Sequence, residues 1–431
     1  MAYTFAAALD NFLTEIDGLS ASLPIIMEEM GKTHRAAAEG VHNFLKRHST
    51  EREEKHDLGQ NHDQEGVLYK IHIDNFDELE ILRTRAANFT VAAAIMPRTF
   101  IMAMISQFDA FVGQVIRAMY YSKPELLNAS EKHISFSSLL QLGSLDDARA
   151  FIVEKELEAV LRESHIDQFD WIEQKLNMEL RTGLDIWPTF VELTERSNLF
   201  VHTNGIVSSH YVAVCKKHKV DLEVALKPGD ELDVSPEYFW SAYQCLYEIA
   251  TKLTHIVWRK LISDEREVAD GLLNMVCYRL LKQEKFPLAQ KILSFALNLP
   301  HHSTHKRKLI FVINKAIAEK FSDNTDYQKT LSDVDWTACS ADFQLAVAVL
   351  NERFEEAVTI MYRMGRTGLV HKPDYKDWPV FRNFRKTEDF KRAFRAIFSE
   401  EIELIEITQG DVIQLIDEEE SKSLPESGKT T

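Results

Sequence analysis

From Phe100 to Met119 the apolar residues Phe100, Ile101, Met104, Ile105, Phe108, Val112, Val115, Ile116 and Met119 recur at steps of mostly three and four. That spacing lays side chains along one face of an α-helix. A strand cannot use it, because a strand changes face at every residue. Met96-Pro97 supplies a start, since a proline in the first helical turn gives up only an N–H that has no partner there. The helix is expected to stop before Lys123-Pro124. The pattern returns after Ser235-Pro236, a capping serine followed by proline, with a face of Phe239, Ala242, Leu246, Ile249, Leu253, Ile256 and Val257. Further helices are expected over 147–163 and 167–181, and from Trp187-Pro188 onward. With 15 Gly and 11 Pro in 431 residues, turn chemistry is too sparse for a many-stranded protein. The fold class expected is all-α.

Four regions follow along the chain. Residues 1–88 read as N-terminal helices, with Phe5, Leu9, Phe12, Leu13 and Ile16 at helical steps, and a polar linker. Within it STEREEKHDLGQNHDQEG (49–66) is almost without apolar residues, and VLYKIHI after it reads as one short strand. Residues 89–265 read as a bundle of about five helices, with a turn at Lys227-Pro228-Gly229-Asp230. In 266–400, LLKQEKFPLAQKIL (280–293) returns as VLNERFEEAVTIM (349–361), each with an apolar run, a polar turn, Phe, and Ala three residues later. Phe286 and Phe354 stand two periods of about 34 residues apart, so the region resembles tetratricopeptide-type helical hairpins. KAIAEKFSDNTDY, with Phe321 one residue out of register, and EDFKRAFRAIF (388–398) are weaker copies. Phe286, Phe321 and Phe354 are expected to be buried, with Ala289 and Ala357 at close helix contacts. Residues 401–431 read as an acidic tail, partly disordered.

Composition excludes several functions. A net charge of −17 opposes non-specific attraction to nucleic acid, which seeks basic surfaces. No run of eighteen uninterrupted apolar residues is present, so no membrane span is expected. Residues 1–18 carry acids early and lack a basic leader, unlike a secretory signal. Cys215, Cys245, Cys277 and Cys339 are scattered without a CxxC pair, the pattern of reduced thiols in a cytoplasmic protein. No Walker loop, GxSxG or HExxH occurs. His210, Cys215 and His218 lie close together without a fourth ligand, so no metal and no cofactor are expected.

One stretch carries chemistry. TERSNLFVHTNG (194–205) sets Arg196, Asn198 and His202 among apolar residues before stopping at Asn204-Gly205. Cleaving RNA without metal needs one group to take the 2′-OH proton and another to protonate the departing 5′-oxygen, and imidazole can do either near neutral pH. A guanidinium can grip two phosphate oxygens. A structural account is equally available: Arg196 pairs with Glu192 or Glu195, and His202 meets the negative end of the helix dipole. On a continuous helix of ~3.6 residues per turn, Asn198 and His202 share a face while Arg196 points about 120° from His202.

ERSNLFVH, with five residues between Arg196 and His202, resembles the R-x(4–6)-H motif of the HEPN superfamily of helical bundles. PRTFIMAMISQFDAFVGQVIRAMYYSKPELL before it and HTNGIVSSHYV after it extend the likeness over residues 90–265. The resemblance implies a HEPN-like bundle that pairs as a homodimer and cleaves RNA without metal, in bacterial antiviral defence. By it His202 is the acid–base residue, Arg196 the phosphate clamp, and Asn198 orients the phosphate or His202. Related chains often carry Arg-Arg-Asn where this one has Arg196-Ser197-Asn198. The rival is a non-catalytic dimeric scaffold that grips a protein partner through its repeats. Beyond the motif, HHSTHKRK (301–308) offers His301, His302, His305, Lys306, Arg307 and Lys308 for phosphate contact or as a solvated loop. Asp109, on the apolar face of the first bundle helix, could approach the motif or make a structural hydrogen bond.

Overall fold

Helix dominates the described residues, as the all-α reading expects. A computed structural model describes residues 4–55, 66–129, 133–222, 226–322 and 324–402. Sixteen α-helices and one two-stranded hairpin lie among those residues. The chain divides into two compact units, Met1–Leu273 and Asn274–Thr431.

The first unit opens with α1 (Phe5–His48), a strand pair β1 (Ser49–Lys55) and β2 (Gly66–Ile71), and α2 (Phe76–Ser122). α1 and α2 run antiparallel against each other along much of their length. Their near halves are core: Phe5, Leu9, Phe12, Leu13 and Ile16 on α1 meet Ile101, Met104, Phe108, Val112, Val115 and Ile116 on α2, all almost fully buried. Each such side chain contributes roughly 1.5–3 kcal/mol on leaving water. Phe12 stacks on Phe111 at 4.9 Å. Their far halves, 24–48 and 76–100, form a two-helix arm with little else packed on it. There Leu23, Met27, Met30, His34, Ala37, Val41 and Phe44 recur at alternating steps of four and three. Leu79, Leu82, Ala86, Phe89, Ala93 and Met96 do the same on α2, and both rows are buried or half-buried. These are the two sides of a heptad seam.

That seam explains two departures from the sequence reading. The division expected at 88/89 falls inside α2, and Pro97 lies within that helix instead of starting it. An interior proline costs about 3 kcal/mol, which pairing with α1 on both sides of Pro97 offsets. The polar stretch read as a linker from 49 supplies β1, which pairs antiparallel with β2. β2 falls where VLYKIHI reads as a strand; β1 went unread because STEREEK is charged almost throughout. A third departure concerns hydropathy: the helix over Ile73–Ser122, without an unbroken apolar run, is long and apolar enough to cross a membrane by length and composition.

The bundle is completed by α3 (Phe136–Leu142), α4 (Leu145–Leu161), α5 (His165–Leu176), α6 (Trp187–Thr203), α7 (Ser209–Lys217) and α8 (Pro236–Leu261). α4 and α5 begin two residues earlier than expected because Ser144 and Ser164 cap them, accepting from the backbone N–H of Asp147 and Asp167. α5 ends early at Asn177, which takes a left-handed conformation. α8 starts as read, capped by Ser235, and packs on α1, α2 and α6. Phe5 stacks on Trp258 at 5.9 Å, and Tyr243 Oη donates to Asp17 Oδ1 at 2.6 Å.

α9 (Arg266–Lys282) leads into the second unit, which holds α10 (Phe286–Asn298), α11 (His305–Lys320), α12 (Tyr327–Ser332), α13 (Ala341–Leu350), α14 (Phe354–Met364), α15 (Lys372–Asp377) and α16 (Glu388–Phe398). The strongest sequence repeat is also a structural repeat. Before α10 the amides of residues 283, 284 and 285 donate to the carbonyls of 279, 281 and 280; before α14 those of 351, 352 and 353 donate to 347, 349 and 348. Glu284 and Glu352 are both left-handed, at φ 58° and 59°. Ala289 and Ala357 are fully buried.

The weaker copies differ. Phe321 caps the end of α11 rather than opening a second helix, and only Phe286 of the three aromatic residues is buried; Phe321 and Phe354 are half-buried. Phe286 packs on Phe321 at 5.7 Å and Phe354 on Phe384 at 5.0 Å. Phe390 and Ala393 of α16 are buried, but short 3-10 turns precede that helix. Tyr375, Phe381, Phe384, Phe390 and Phe394 make an aromatic cluster there. Of the expected tail, 403–431 lies outside the described residues.

Candidate functional site

α6 is entered through Trp187-Pro188 and left through Asn204 and Gly205, both left-handed at φ 54° and 86°. Gly205 is required here. Its backbone conformation disfavours other residues, and a Cβ would stand 3.0 Å from Leu232 O and 3.3 Å from the Phe200 ring. The chain then pairs with the turn expected at 227–230. Val207 N donates to Asp230 O at 2.8 Å, Gly229 N to Val207 O at 2.9 Å, and Leu232 N to Gly205 O at 2.9 Å. Arg98 locks this corner, donating to Asn204 O at 3.1 Å and Glu231 Oε1 at 2.9 Å. The Asn-Gly stop thus folds residues 231–238 back onto α6.

That return encloses Arg196. Its Nε donates to Glu192 Oε1 at 2.6 Å and its Nη1 to Asp233 O at 3.0 Å. Its guanidinium lies 3.8 Å from the centre of the Tyr238 ring, a cation–π contact. Glu192, itself buried, accepts from Tyr211 Oη at 2.6 Å and Tyr238 Oη at 2.8 Å. Burial alone would lower the Arg196 pKa, but Tyr238, Glu192 and Tyr211 more than reverse it, so the cation is held firmly. Tyr211 is raised by burial and then by Glu192. Of the two partners the sequence offered, Arg196 takes Glu192. Its Nε and one hydrogen of its Nη1 are thus engaged inside the protein, which counts against the expected role of a clamp open to phosphate.

Asn198 and His202 stand elsewhere. Both are exposed, and both line a cleft of about 570 Å³ together with Asp109, His165, Glu195 and His210. Arg196 is not on that surface, in keeping with the ~120° that separates it from His202 on a helix. α2 brings Asp109, the first turn of α5 brings His165, and α7 brings His210. His165 Nε2 lies 2.8 Å from Asp109 Oδ1, an ion-pair contact not aligned as a hydrogen bond. The His165 ring is wedged between Phe108 at 5.9 Å and Phe190 at 5.8 Å, which fixes its plane. Glu195 is buried, and burial raises its pKa against the pull of His210 and His165. His210 Nε2 stands 3.6 Å from Glu195 Oε2. Arg162, which pairs with Glu158, reaches the rim.

Three imidazoles (His165, His202 and His210) and three carboxylates (Asp109, Glu163 and Glu195) surround one opening, the kinds of group that serve as general acids and bases. Asp109 does approach the motif face, as one of its two readings had it. His165 escaped the sequence analysis, and Glu195 was read only as a possible partner of Arg196; the available signal for His165 was Ser164-His165, a cap followed by histidine in the first turn of a helix. The His210, Cys215 and His218 group does not converge: Cys215 is buried, with its thiol pushed up to about 11, mainly by burial. Among the described residues no three His, Cys, Asp or Glu side chains gather as a metal site.

The basic patch belongs to the second unit. Thr304 caps α11 there, accepting from Arg307 N. His301, His305, Lys306 and Lys308 are exposed, and His302 and Arg307 half-buried. No family model, curated protein or solved structure matches the chain.

Proposed function

We propose that the cleft beside α6 cleaves RNA without a metal ion, as the likeness to HEPN proteins implies, and that the protein acts in the cytoplasm in antiviral defence. One observation carries this reading: His202 and Asn198 open onto the same cleft as His165 and Asp109, so two imidazoles are available for the two proton transfers. One takes the proton of the 2′-OH as that oxygen attacks the neighbouring phosphorus. The other gives a proton to the 5′-oxygen as its bond to phosphorus breaks, leaving a 2′,3′-cyclic phosphate and a 5′-OH. Asn198 orients the phosphate, and Arg162 at the rim is the guanidinium placed to meet it. Arg196 is a positioning residue that holds α6 through Glu192. The second unit, with its basic patch and repeated turns, serves as the sensing surface.

The test is cleavage of an unstructured RNA panel in EDTA. His202→Ala and His165→Ala should each lower the rate roughly 10²–10⁴-fold, and the product should carry the cyclic phosphate. Cleavage that needs metal, or that survives loss of both histidines, would overturn the proposal. The scaffold reading draws on a different observation, the withdrawal of Arg196 from the cleft in a chain of net charge −17. It expects no cleavage and no effect of either histidine on partner binding.

A further inference from the structure

α2 carries a second row of side chains that no described residue covers. Ile81, Thr84, Asn88, Val91 and Ile95 recur at steps of three and four, and all are exposed, with Ile81 at 68%, Val91 at 57% and Ile95 at 47%. This row is displaced by two residues from the one facing α1, which turns it about 200° around the helix. The arm therefore has two heptad seams on opposite faces of one helix, one filled by α1 and one open.

We infer that the open seam pairs with the same seam of a second copy of this chain, the two α2 helices running parallel. Three features select that occupant. With Ile81, Asn88 and Ile95 at a positions and Thr84 and Val91 at d, the seam has a single central Asn at an a position, which in a parallel pair meets its own counterpart and fixes register and oligomer state. Glu80 then falls at g and Arg85 at e. In a parallel pair each g residue meets the e residue five positions on in its partner, so Glu80 faces Arg85 of the other copy twice over. Antiparallel pairing would instead carry Glu80 to the far end of the partner's row, away from Arg85, and lose both pairs. Ala87, Ala92 and Ala94 flank the seam and let the backbones approach. A bilayer fits less well: from Ile81 to Ile95 the row spans only ~21 Å, short of the ~30 Å hydrocarbon layer, and Thr84 and Asn88 sit at its middle.

This inference is independent of the chemistry of the cleft. Of the apolar residues along α6, Phe190, Leu193 and Phe200 are buried in their own bundle and Val201 is exposed, so that helix offers less apolar surface to a second copy than the arm does.

The full chain should show a light-scattering mass that rises with concentration from one chain of 49.6 kDa to two. Val91→Glu with Ile95→Glu, both at exposed sites, should leave the melting curve unchanged and hold the mass at one chain. Arg85→Glu should raise the dissociation constant about tenfold, and adding Glu80→Arg should restore it. Ile81→Cys and Ile95→Cys should each cross-link to the same position of the second copy. A single-chain mass at every concentration would overturn the inference. So would cross-linking only between positions 81 and 95, which marks antiparallel pairing. Flotation of a single-chain species on phosphatidylglycerol–phosphatidylcholine vesicles, lost in the double glutamate variant, would overturn it in favour of a membrane.

Discussion

Two sides of α6 divide what the motif joins. On one side Arg196 is enclosed by Glu192, the Asp233 carbonyl and the Tyr238 ring, with its side chain 12% exposed. On the other, Asn198 and His202 open onto a cleft with His165, Glu195 and Asp109. The residues are close neighbours in sequence, yet their surroundings ask different things of them. The Arg196 side is a buried ion pair, in which Glu192 accepts from Arg196 and from two tyrosine hydroxyls, and loss of one member strands the rest. On the His202 side, Asn198 and His202 are exposed, and among the described residues no hydrogen bond ties their side chains to the packing. A motif defined by spacing alone cannot tell these apart.

The sharpest way to break this comparison is Arg196→Ala. It leaves the Glu192 carboxylate buried without its cation and should cost about 3–5 kcal/mol in denaturant unfolding. Arg196→Lys should recover only part of that, because an ammonium cannot reproduce the planar, stacked fork. If Arg196→Ala unfolds like the parent protein while abolishing RNA cleavage, the two sides are wrongly assigned. Gly205→Ala probes the corner that carries Asp233 to Arg196. The strained backbone and the 3.0 Å approach to Leu232 O should cost roughly 1–3 kcal/mol, read as a lower melting temperature.

Acid sharpens the comparison from another site. His255 on α8 is fully buried, and its pKa is lowered to about 3, chiefly by burial and then by Arg259. Below its ordinary 6.5 the unfolded chain takes a proton that the folded chain refuses. Stability should therefore fall by up to ~1.4 kcal/mol per pH unit as pH drops from about 6.5 towards 3. In His255→Leu that part of the slope should vanish from the pH dependence of unfolding. The smallest effect belongs to the open side: His202→Ala and Asn198→Ala should shift unfolding by no more than ~0.5 kcal/mol. A larger loss at His202 would return it to the structural role of a helix end.

Legibility followed locality. Ser235-Pro236, Trp187-Pro188 and the stop before Lys123-Pro124 were readable because a cap or a proline acts on its own turn. The four-residue step from Asn198 to His202 was readable for the same reason. Pro97 misled because its local cost is met by α1, from which the chain is separated by a hairpin whose first strand is charged almost throughout. His165 joins the cleft from α5, and its partner Asp109 comes from α2; no spacing relates them. The repeat at Phe286 and Phe354 was legible as a turn, since Glu284 and Glu352 lie in equivalent backbone ladders. It was not legible as an unbroken 34-residue array, because Phe321 ends a helix instead of starting one.

The contact of Phe5 with Trp258 has a consequence in time. On a ribosome adding about 5–20 residues per second, the apolar face of α1 emerges roughly 10–50 seconds before α8, one of the two helices that cover it. During that interval Phe5, Leu9, Phe12, Leu13 and Ile16 must be sheltered by α2 alone or by a chaperone. Synthesis of this bundle is thus a wait imposed by topology, and any pause in translation between α2 and α8 lengthens the exposure of that α1 face.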